Sequence, residues 1–291
     1  GMAYCRMPYC YGIPFRGSVS KMKNTLFALR DATYSYLGKF PALRAITMDI
    51  EQGSKIVIIG ANGSGKSTLL QVLDGLIFVE SGSVLFRGKE LSEKAFLDDA
   101  FSIDFRRSVG FVFQNPEVQL FCPTVREDIL FGPLQLGLDK ATMKARFEKL
   151  VELLGITAIL ERTPHQLSIG EKRKVAIAAS LIVDPEVLIL DEPTAGLDPL
   201  TTRKIVDLLI DEHARGKTII TSTHDLHIVE EMADYMFVFS GSKEIVASGR
   251  TPLILKDIPL LQAHNLVHIH RHKHDGAEHF HPHQHIDQHH H

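Results

Sequence analysis

Three short stretches of the chain are apolar at nearly every position, at residues 55–59, 187–190 and 218–222. A strand that is apolar on both sides must be covered on both sides, so these stretches predict central strands of a parallel sheet. Helix-like stretches follow each of them, which indicates an α/β core. Residues 26–50 alternate between apolar and polar positions and predict short strands ahead of that core.

A long insertion, at about residues 88–170, separates the first two of these central strands. Within it, residues 127–136 and 141–154 carry the apolar spacing of helices, and Gly155 is placed to end the second helix. We therefore predict an inserted, largely helical subdomain. The predicted divisions of the chain are a poorly ordered N-terminal extension at 1–22, a main domain at 23–249, and a C-terminal helix with a His-rich tail at 250–291.

Composition excludes several classes of protein. The chain of 291 residues has a net charge of −3, which gives no overall attraction to nucleic acid or anionic lipid, and we expect no nucleic-acid partner. No apolar run approaches the roughly 18 residues that span a bilayer, so any membrane role would come through a partner. Cys5, Cys10 and Cys122 form no zinc-like set, and we expect free thiols in a reducing cytosol.

The segment after the first apolar stretch has the spacing of a phosphate-binding loop: a glycine, four residues, then Gly-Lys-Ser. Small residues let backbone N–H groups approach phosphate oxygens, and the following helix adds the positive end of its dipole. We expect Lys66 to reach the β- and γ-phosphates of ATP and the Ser67 hydroxyl to ligate Mg²⁺. The predicted nucleotide contacts are Gly60, Asn62, Gly63, Ser64, Gly65, Lys66, Ser67 and Thr68.

Two carboxylates follow the second apolar stretch. Asp191 would lie beside Mg²⁺, usually through water, because this ion retains several waters in proteins. Glu192 would be the general base that orients the attacking water. An apolar run followed by Asp-Glu is common by itself, and it becomes informative only together with the phosphate-binding loop.

Further motifs stand in a fixed order along the chain. They are Tyr36, Gln114 after a strand-like run, Leu-Ser-Ile-Gly-Glu at 167–171, Ala-Gly-Leu-Asp at 195–198 and Thr-His-Asp at 223–225. Together with the phosphate-binding loop, they resemble the ATP-binding subunits of ABC transporters over residues 25–250. The resemblance implies an α/β P-loop NTPase fold with a RecA-like, mostly parallel core sheet, an N-terminal antiparallel β subdomain and an inserted α-helical subdomain.

The resemblance also implies roles for these residues. Tyr36 would stack on adenine, Gln114 would ligate Mg²⁺ at the catalytic site, and His224 would be the switch histidine. The family binds two nucleotides between two ATPase domains, so Ser168 and Gly170 of one copy would contact the γ-phosphate held by the other. Asp198, in the D-loop motif, would join this interface. The partner domain is a second copy or a paralogue.

The signature motif at 167–171 departs from the family's usual Leu-Ser-Gly-Gly-Gln. Ile169 replaces a glycine, and Glu171 brings negative charge near a triphosphate. From the residues alone, Ser168 and Glu171 have the spacing of a capping box at the start of a helix. We expect function to survive, because Ser168 and Gly170 are kept, at an altered rate of hydrolysis.

The residues around Gln114 indicate a subgroup of the family. Residues 114–121 and 124–138 resemble the corresponding region of energy-coupling-factor importers, the group that takes up cobalt, nickel and vitamins. In that group this region lies against an integral membrane subunit. The resemblance therefore implies a peripheral protein at the cytoplasmic face of the cell membrane, which hydrolyses ATP to energise the import of cobalt or nickel.

Most of the 16 histidines lie beyond residue 263. Neutral imidazole suits nickel, cobalt, copper and zinc alike. We interpret the segment as a flexible multisite chelator that collects or senses Ni²⁺ or Co²⁺; a tag or a solvated tail without a duty are the alternatives. The candidate ligands are spaced by two residues: His268, His270, His272, His274, His279, His281, His283 and His285.

Other functions remain open at this point. One is a soluble ABC ATPase in DNA repair, translation or Fe–S assembly, which would predict coiled-coil insertions, tandem domains or a basic patch; the sequence has none of these. Another is an importer ATPase for a vitamin. A third is a metal-storage protein that retains a nucleotide fold without turnover.

Overall fold

The computed structural model describes residues 24–274 and 277–283, with side chains through Val267. The predicted N-terminal extension at 1–22 lies outside the described residues. The described residues form twelve strands: β1 Thr25–Tyr36, β2 Phe40–Glu51, β3 Lys55–Gly60, β4 Ser81–Phe86, β5 Lys89–Glu90, β6 Val109–Val112, β7 Val187–Asp191, β8 Thr218–Thr223, β9 Tyr235–Phe239, β10 Ile245–Arg250, β11 His268–His274 and β12 Ala277–His283. In the same part of the chain there are ten α-helices: α1 Lys66–Leu73, α2 Glu93–Phe96, α3 Asp99–Ser108, α4 Val125–Gln135, α5 Lys140–Leu154, α6 Ile169–Leu181, α7 Pro199–Ala214, α8 Leu226–Met232, α9 Thr251–Lys256 and α10 Ile258–Ala263.

The central sheet has six strands in the order β10-β9-β3-β8-β7-β6, and all neighbours are parallel except β10 and β9. Every residue of β7 and β8 is buried. Alternate residues face opposite sides, so Ile189 joins one core cluster while Leu188 joins another. The three apolar stretches are therefore central strands of a covered parallel sheet, as predicted.

A second sheet, in the order β2-β1-β4-β5, is entirely antiparallel. Its long strands β1 and β2 have 12 residues each, and their inward residues Leu29 and Ile46 are buried in the same cluster as Ile58 of β3. This sheet, together with α1 and α3, covers one face of the central sheet. The predicted N-terminal antiparallel subdomain is confirmed.

The inserted helices lie on the other face. Helices α4, α5 and α6 pack their apolar sides together with α7, and Gly155 ends α5 at a φ of 63° as predicted. The strand β6, inside the predicted range of 88–170, belongs to the parallel sheet because it pairs with β7. The predicted range therefore contains one strand of the central sheet, with the helices α2 and α3 before it and α4 and α5 after it.

The segment beyond residue 250 forms two short helices, α9 and α10, and then a β11–β12 hairpin. Leu261, Leu266 and Val267 are buried in one cluster with Val57 and Ile59 of β3. The C-terminal segment therefore contributes core residues as far as Val267. In the described part of the chain, every helix is too short or too polar to cross a bilayer.

Candidate functional site

The parallel strands bring the predicted residues to one edge of the central sheet. The phosphate-binding loop follows β3, Asp191 ends β7 and Glu192 follows it, and His224 comes directly after β8. Gln114 lies in the loop after β6, one strand further along. Because all four strands run in the same direction, their carboxyl ends meet, and this edge is where ligands bind in open α/β sheets.

The phosphate-binding loop needs its glycines for space as well as for conformation. A Cβ at Gly65 would meet the Ala42 carbonyl oxygen at 2.3 Å, and Gly65 has a φ of 108°. A Cβ at Gly60 would meet Ser64 Oγ at 2.6 Å and the Phe239 carbonyl oxygen at 2.9 Å. No side chain can stand at either position without moving the loop.

Several polar groups of this loop have no hydrogen-bond partner in the part of the chain that the structure describes. The first turn of α1 has no side-chain cap, which leaves backbone N–H groups at the positive end of the helix dipole. The Ser64 hydroxyl is buried without a hydrogen-bond partner among the described residues. Asn62 and Gly63 are exposed at the tip of the loop. These groups fit a bound phosphate chain, which supplies the acceptors that they lack.

The phosphate-binding loop is also bonded to a turn that is distant in sequence, the turn between β9 and β10. Lys243, between β9 and β10, donates a hydrogen bond from Nζ to the Gly63 carbonyl. The Lys243 carbonyl in turn accepts the backbone N–H of Arg44 at 2.9 Å, in β2. Elements of both sheets therefore fix the shape of the loop.

Lys66 is buried at the base of the loop. Its Nζ donates to the carbonyls of Gly60 at 2.8 Å and Ala61 at 3.3 Å, and it lies 3.8 Å from Glu192 Oε1. Burial lowers the pKa of this ammonium, and the nearby carboxylates Glu192 and Asp191 oppose the shift. The site thus holds a positive charge where a triphosphate would enter.

Asp191 and Glu192 are both buried, and one hydroxyl holds them together. Ser222 Oγ, in β8, donates to Asp191 Oδ1 at 2.5 Å and accepts the Glu192 N–H at 2.9 Å. Glu192 itself has a φ of 47°, a rare conformation for a residue with a side chain. Ser222 was missed from the sequence; the only signal was a polar residue at the end of a buried apolar stretch.

His224 points at Glu192. Its Nδ1 lies 2.8 Å from Glu192 Oε2, and this hydrogen bond raises the pKa of the imidazole. The side chain is half exposed, so its other ring nitrogen remains accessible to a ligand. Glu192 therefore pairs with Lys66 on one side and with His224 on the other, at the carboxyl edge of the sheet. The exposed Gln114 lies in the loop after β6, at the same edge.

Tyr36 and Thr68 meet beside the loop. The Tyr36 hydroxyl lies 3.2 Å from Thr68 Oγ1 and 3.4 Å from Gln71 Oε1, both on α1. The ring is 41% exposed, so one side is free for a planar ligand. Ser67 is half-buried at the start of α1. The structure thus places these predicted contacts around the same loop.

The signature residues stand apart from the loop, at the start of α6. The capping box is confirmed: Ser168 donates from its backbone N–H at 2.8 Å and from Oγ at 2.9 Å to Glu171 Oε2, and these bonds lower the pKa of Glu171. Gly170 and Asp198 line the same cleft, with the 61% exposed Ile169 at its rim. No residue of the phosphate-binding loop lines this cleft.

The candidate transition-metal residues of the tail lie outside the described side chains, and His285 lies outside the described backbone as well. Within the described part of the chain, no three His, Cys, Asp or Glu side chains are grouped to hold a metal ion. Cys122 is a free thiol, and burial raises its pKa to about 11. Cys5 and Cys10 are outside the described residues.

Three features together define an ATP-binding cassette. They are a glycine-rich loop before a helix, two buried carboxylates at the end of a parallel strand, and a signature helix after an inserted helical subdomain. The family model for ABC transporters matches residues 43–195. The chain belongs to this family, and it is an ATPase of the kind that couples ATP hydrolysis to transport. ATP and Mg²⁺ are the ligands that the family implies, and the unpartnered groups of the loop fit them.

Relatives cover most of the chain. It is 46% identical to the nickel import ATP-binding protein NikO of Rhodobacter capsulatus over 244 residues, which are 83% of this chain and 95% of NikO. It is 43% identical to the energy-coupling factor transporter ATP-binding protein EcfA of Methanothermobacter thermautotrophicus, over 83% of this chain and 76% of EcfA. Among solved structures, cbiO1 from Clostridium perfringens, part of the ABC transporter complex cbiONQ, has a TM-score of 0.69 and 35% identity over 84% of this chain and 96% of cbiO1.

Proposed function

We propose that this chain hydrolyses ATP to energise the import of a transition-metal ion, nickel or cobalt, through an integral membrane partner. The observation that carries the proposal is the 46% identity to a nickel import ATP-binding protein over nearly that protein's whole length, together with an intact set of nucleotide-site residues. Other relatives are named energy-coupling factor transporter subunits, and that group includes vitamin importers. An importer ATPase for a vitamin is therefore the second candidate.

Uptake measurements separate these substrates. In cells that lack the gene, uptake of radioactive nickel or cobalt should fall and return with the intact chain, while vitamin uptake stays unchanged. The reverse result would favour the vitamin importer. If uptake of neither the metals nor the vitamin changes and the ATPase is recovered free of membranes, a soluble ABC ATPase would be favoured.

The geometry supports separate roles for the residues at the sheet edge. Lys66 and the N–H groups of the loop would hold the phosphate chain, and Mg²⁺, which supplies charge neutralisation when bound, would be held by Ser67, Asp191 and Gln114. Glu192 would accept the proton of the attacking water as the bond from that water to the γ-phosphorus forms and the bond from the γ-phosphorus to the β–γ bridging oxygen breaks, so that phosphate and ADP are the products. His224, already bonded to Glu192, would orient that carboxylate.

Glu192→Gln tests the assignment of the base. This variant should still bind a fluorescent ATP analogue, because Gln keeps the size of the side chain, while kcat falls by about 100-fold or more. Glu161→Gln, an exposed carboxylate paired with Arg126 elsewhere on the surface, is the control and should keep the wild-type rate. Unchanged turnover in Glu192→Gln would refute the assignment.

A second ATPase domain would complete the nucleotide site, because no residue of the chain's own phosphate-binding loop lines the signature cleft. In a two-fold dimer, the Ser168 and Gly170 side of one copy would complete the nucleotide site on the other, with Asp198 at the same interface. Either this chain or a paralogue would fill that place. We also propose that the ATPase domain begins near residue 23 and extends through Val267, past the boundary predicted at 249, since Val267 is part of its core.

Mixing two inactive variants tests the shared site. Ser168→Ala and Glu192→Gln should each be nearly inactive alone. In mixed dimers, one site combines an intact Glu192 with an intact Ser168 from the other copy. Mixing should therefore restore about a quarter of the wild-type rate, since about half of the dimers are mixed and each has one intact site. No recovery, with dimers formed, would mean that each chain completes its own site.

An exposed apolar surface next to Gln114 supports docking on a membrane subunit at the cytoplasmic face. We define this docking surface by Phe121, Phe131 and Leu134; the Phe121 and Phe131 rings are 5.0 Å apart, edge to face. The buried Asp128 fixes the loop by accepting the backbone N–H of Phe121 at 3.0 Å and that of Cys122 at 2.9 Å. Apolar residues held in this way on a surface mark a site for a partner.

Recovery from detergent-solubilised membranes tests this surface. The tagged chain should bring down an integral membrane protein, and the double variant Phe121→Ser/Phe131→Ser should lose it. Leu253→Ser removes an equally exposed apolar side chain on α9 and should retain the partner. Loss of the partner in both variants, or in neither, would contradict docking at this surface.

The tail would bind the transported metal. The backbone register of the β11–β12 hairpin sets His268 opposite His283, His270 opposite His281, and His272 opposite His279. Positions two residues apart share one face of a strand, so these six positions share a face of the hairpin. Imidazole is a ligand type that suits Ni²⁺ or Co²⁺ better than hard cations.

A chain that ends at Val267 keeps the buried Leu266 and Val267 and tests the tail alone. By equilibrium dialysis it should bind far less Ni²⁺ than the full chain, with an unchanged ATPase rate. Equal binding by both chains would remove the tail from the proposal. The His→Ser variant at positions 268, 270 and 272 should give an intermediate stoichiometry.

A further inference from the structure

A buried arginine joins the signature helix to the backbone of the catalytic glutamine. Arg173, on the second turn of α6, is 2% exposed. Its two terminal nitrogens donate to the carbonyls of Phe113 at 2.7 Å and Gln114 at 2.6 Å. Two successive carbonyls therefore converge on one guanidinium, whose fork geometry suits such paired acceptors.

Other side chains extend this contact along residues 113–119. Lys172 pairs with Glu117, next to Arg173 on the helix. Gln119 accepts the Phe113 N–H at 3.3 Å and donates to the Ala176 carbonyl at 3.0 Å and to Ser180 Oγ at 3.1 Å. The segment that carries Gln114 is therefore tied to α6 over three of its turns.

The charge of Arg173 is costly where it lies. Arg173 is buried, and its Nε has no hydrogen-bond partner among the described residues, so the two carbonyls offset the loss of hydration only in part. A buried cation that bonds two successive backbone carbonyls fixes that backbone more firmly than an apolar packing contact would.

We propose that Arg173 is a positioning residue that holds Gln114 toward the Mg²⁺ site and moves it together with the signature helix. This inference rests on the proposed role of Gln114. With Arg173 in place, the start of α6, which carries Ser168, and the loop after β6 behave as one body. Without it, Gln114 keeps its side chain and loses the support of its backbone.

A second arginine offers a matched control. Arg146, on α5, donates to the Val183 carbonyl at 2.9 Å and pairs with Asp184 at 3.2 Å. Arg146 thus makes the same kind of contact as Arg173, a guanidinium that donates to a backbone carbonyl. It does so from α5, and its hydrogen bonds among the described residues do not reach the loop after β6. Arg146→Met should cost fold stability without a specific effect on Mg²⁺ use.

The experiment compares Arg173→Met, Arg146→Met, Gln114→Ala and the double variant Arg173→Met/Gln114→Ala. Three quantities are measured: kcat, the Mg²⁺ concentration for half-maximal ATPase, and binding of a fluorescent ATP analogue in EDTA. Arg173→Met should lower kcat by about tenfold and raise the half-maximal Mg²⁺ concentration, because it removes charge-assisted hydrogen bonds. Binding of the analogue without Mg²⁺ should not change.

The double variant decides whether Arg173 acts through Gln114. If it does, Arg173→Met has little further effect on kcat in the Gln114→Ala background. The proposal would be overturned if the effects of Arg173→Met and Gln114→Ala on kcat were fully additive. It would also be overturned if Arg146→Met raised the half-maximal Mg²⁺ concentration by the same amount. If Gln114→Ala alone leaves kcat and Mg²⁺ use unchanged, the proposed role of Gln114 fails, and a remaining effect of Arg173→Met would then show an action elsewhere.

Folding is controlled separately. Arg173→Lys keeps the charge but cannot bond both carbonyls in the same fork, so it should fold where Met does not and restore kcat only in part. Thermal melting of all variants identifies any general loss of structure. A wild-type kcat and Mg²⁺ dependence in Arg173→Lys would contradict the need for the paired contact.

Discussion

Ser222→Ala removes one hydroxyl from the centre of the nucleotide site. Ser222 is fully buried, and its Oγ donates to Asp191 and accepts from Glu192. The adjacent Thr221 is also fully buried in β8, yet its hydroxyl has no partner among the described residues. Thr221→Val is therefore a control in the same strand that removes a hydroxyl without breaking a hydrogen bond.

The expected loss follows from the two bonds. A hydrogen bond to a charged group contributes about 1.5–3 kcal/mol and one to a neutral group about 1 kcal/mol. The Glu192 N–H also lies 3.2 Å from the Ser222 carbonyl, so it keeps a partner in the variant. Ser222→Ala should thus lower the free energy of unfolding by about 2–4 kcal/mol. Thr221→Val should change it by less than about 1 kcal/mol or raise it.

Urea unfolding followed by circular dichroism measures both variants, with and without Mg²⁺ and ATP. Mg²⁺ near Asp191 would replace the lost donor with positive charge, so the deficit of Ser222→Ala should shrink when both ligands are present. A loss below about 1 kcal/mol in Ser222→Ala, or an equal loss in Thr221→Val, would refute the assigned hydrogen bonds. A deficit that ligands leave unchanged would place Mg²⁺ away from Asp191.

Three further predictions concern single charges. The pKa of His224, read by NMR, should lie above its ordinary value and fall in Glu192→Gln, which removes the charge of its partner; an unchanged pKa would count against the pair. Burial raises the pKa of Asp74 to about 7. The native state therefore binds more protons than the unfolded state from the ordinary carboxyl range up to about pH 7, and stability relative to Asp74→Asn should fall by on the order of 2 kcal/mol from pH 5 to pH 8 in urea titrations. A constant difference would mean that Asp74 is charged throughout. Glu171→Gln keeps a capping side chain while removing a negative charge beside the signature serine, and should lower the ATP concentration for half-maximal activity about threefold; a higher one would show that the charge assists.

Much of the site could be predicted because its chemistry is local in sequence. The loop from Gly60 to Thr68 combines small residues, a lysine and a hydroxyl within one turn, and that spacing alone specifies phosphate binding. Asp191 and His224 follow apolar stretches, and parallel strands necessarily bring such positions to one edge. The capping box of Ser168 and Glu171 is likewise fixed by a separation of three residues.

The remaining features depend on contacts between distant segments. Arg173 stands in a run of three basic residues that is typical of a solvated helix, and only the packing of α6 against the loop after β6 buries it. Ser222 gains its role from β7, which is paired with β8. The buried Leu266 and Val267 follow a polar segment, and only their packing against Val57 and Ile59 of β3 shows that they belong to a core cluster.

The contacts that shape the phosphate-binding loop determine when it can form during synthesis of the chain. Its carbonyl at Gly63 accepts a hydrogen bond from Lys243, 180 residues further along the chain. Gly65 lies against the carbonyl of Ala42 in β2, a strand of the antiparallel sheet. The contact between Lys243 and Gly63 can form only after residue 243 has been synthesised. A ribosome-bound chain that ends before Lys243 should therefore contain the complete motif and still fail to retain nucleotide, so that a partly synthesised subunit does not compete for ATP.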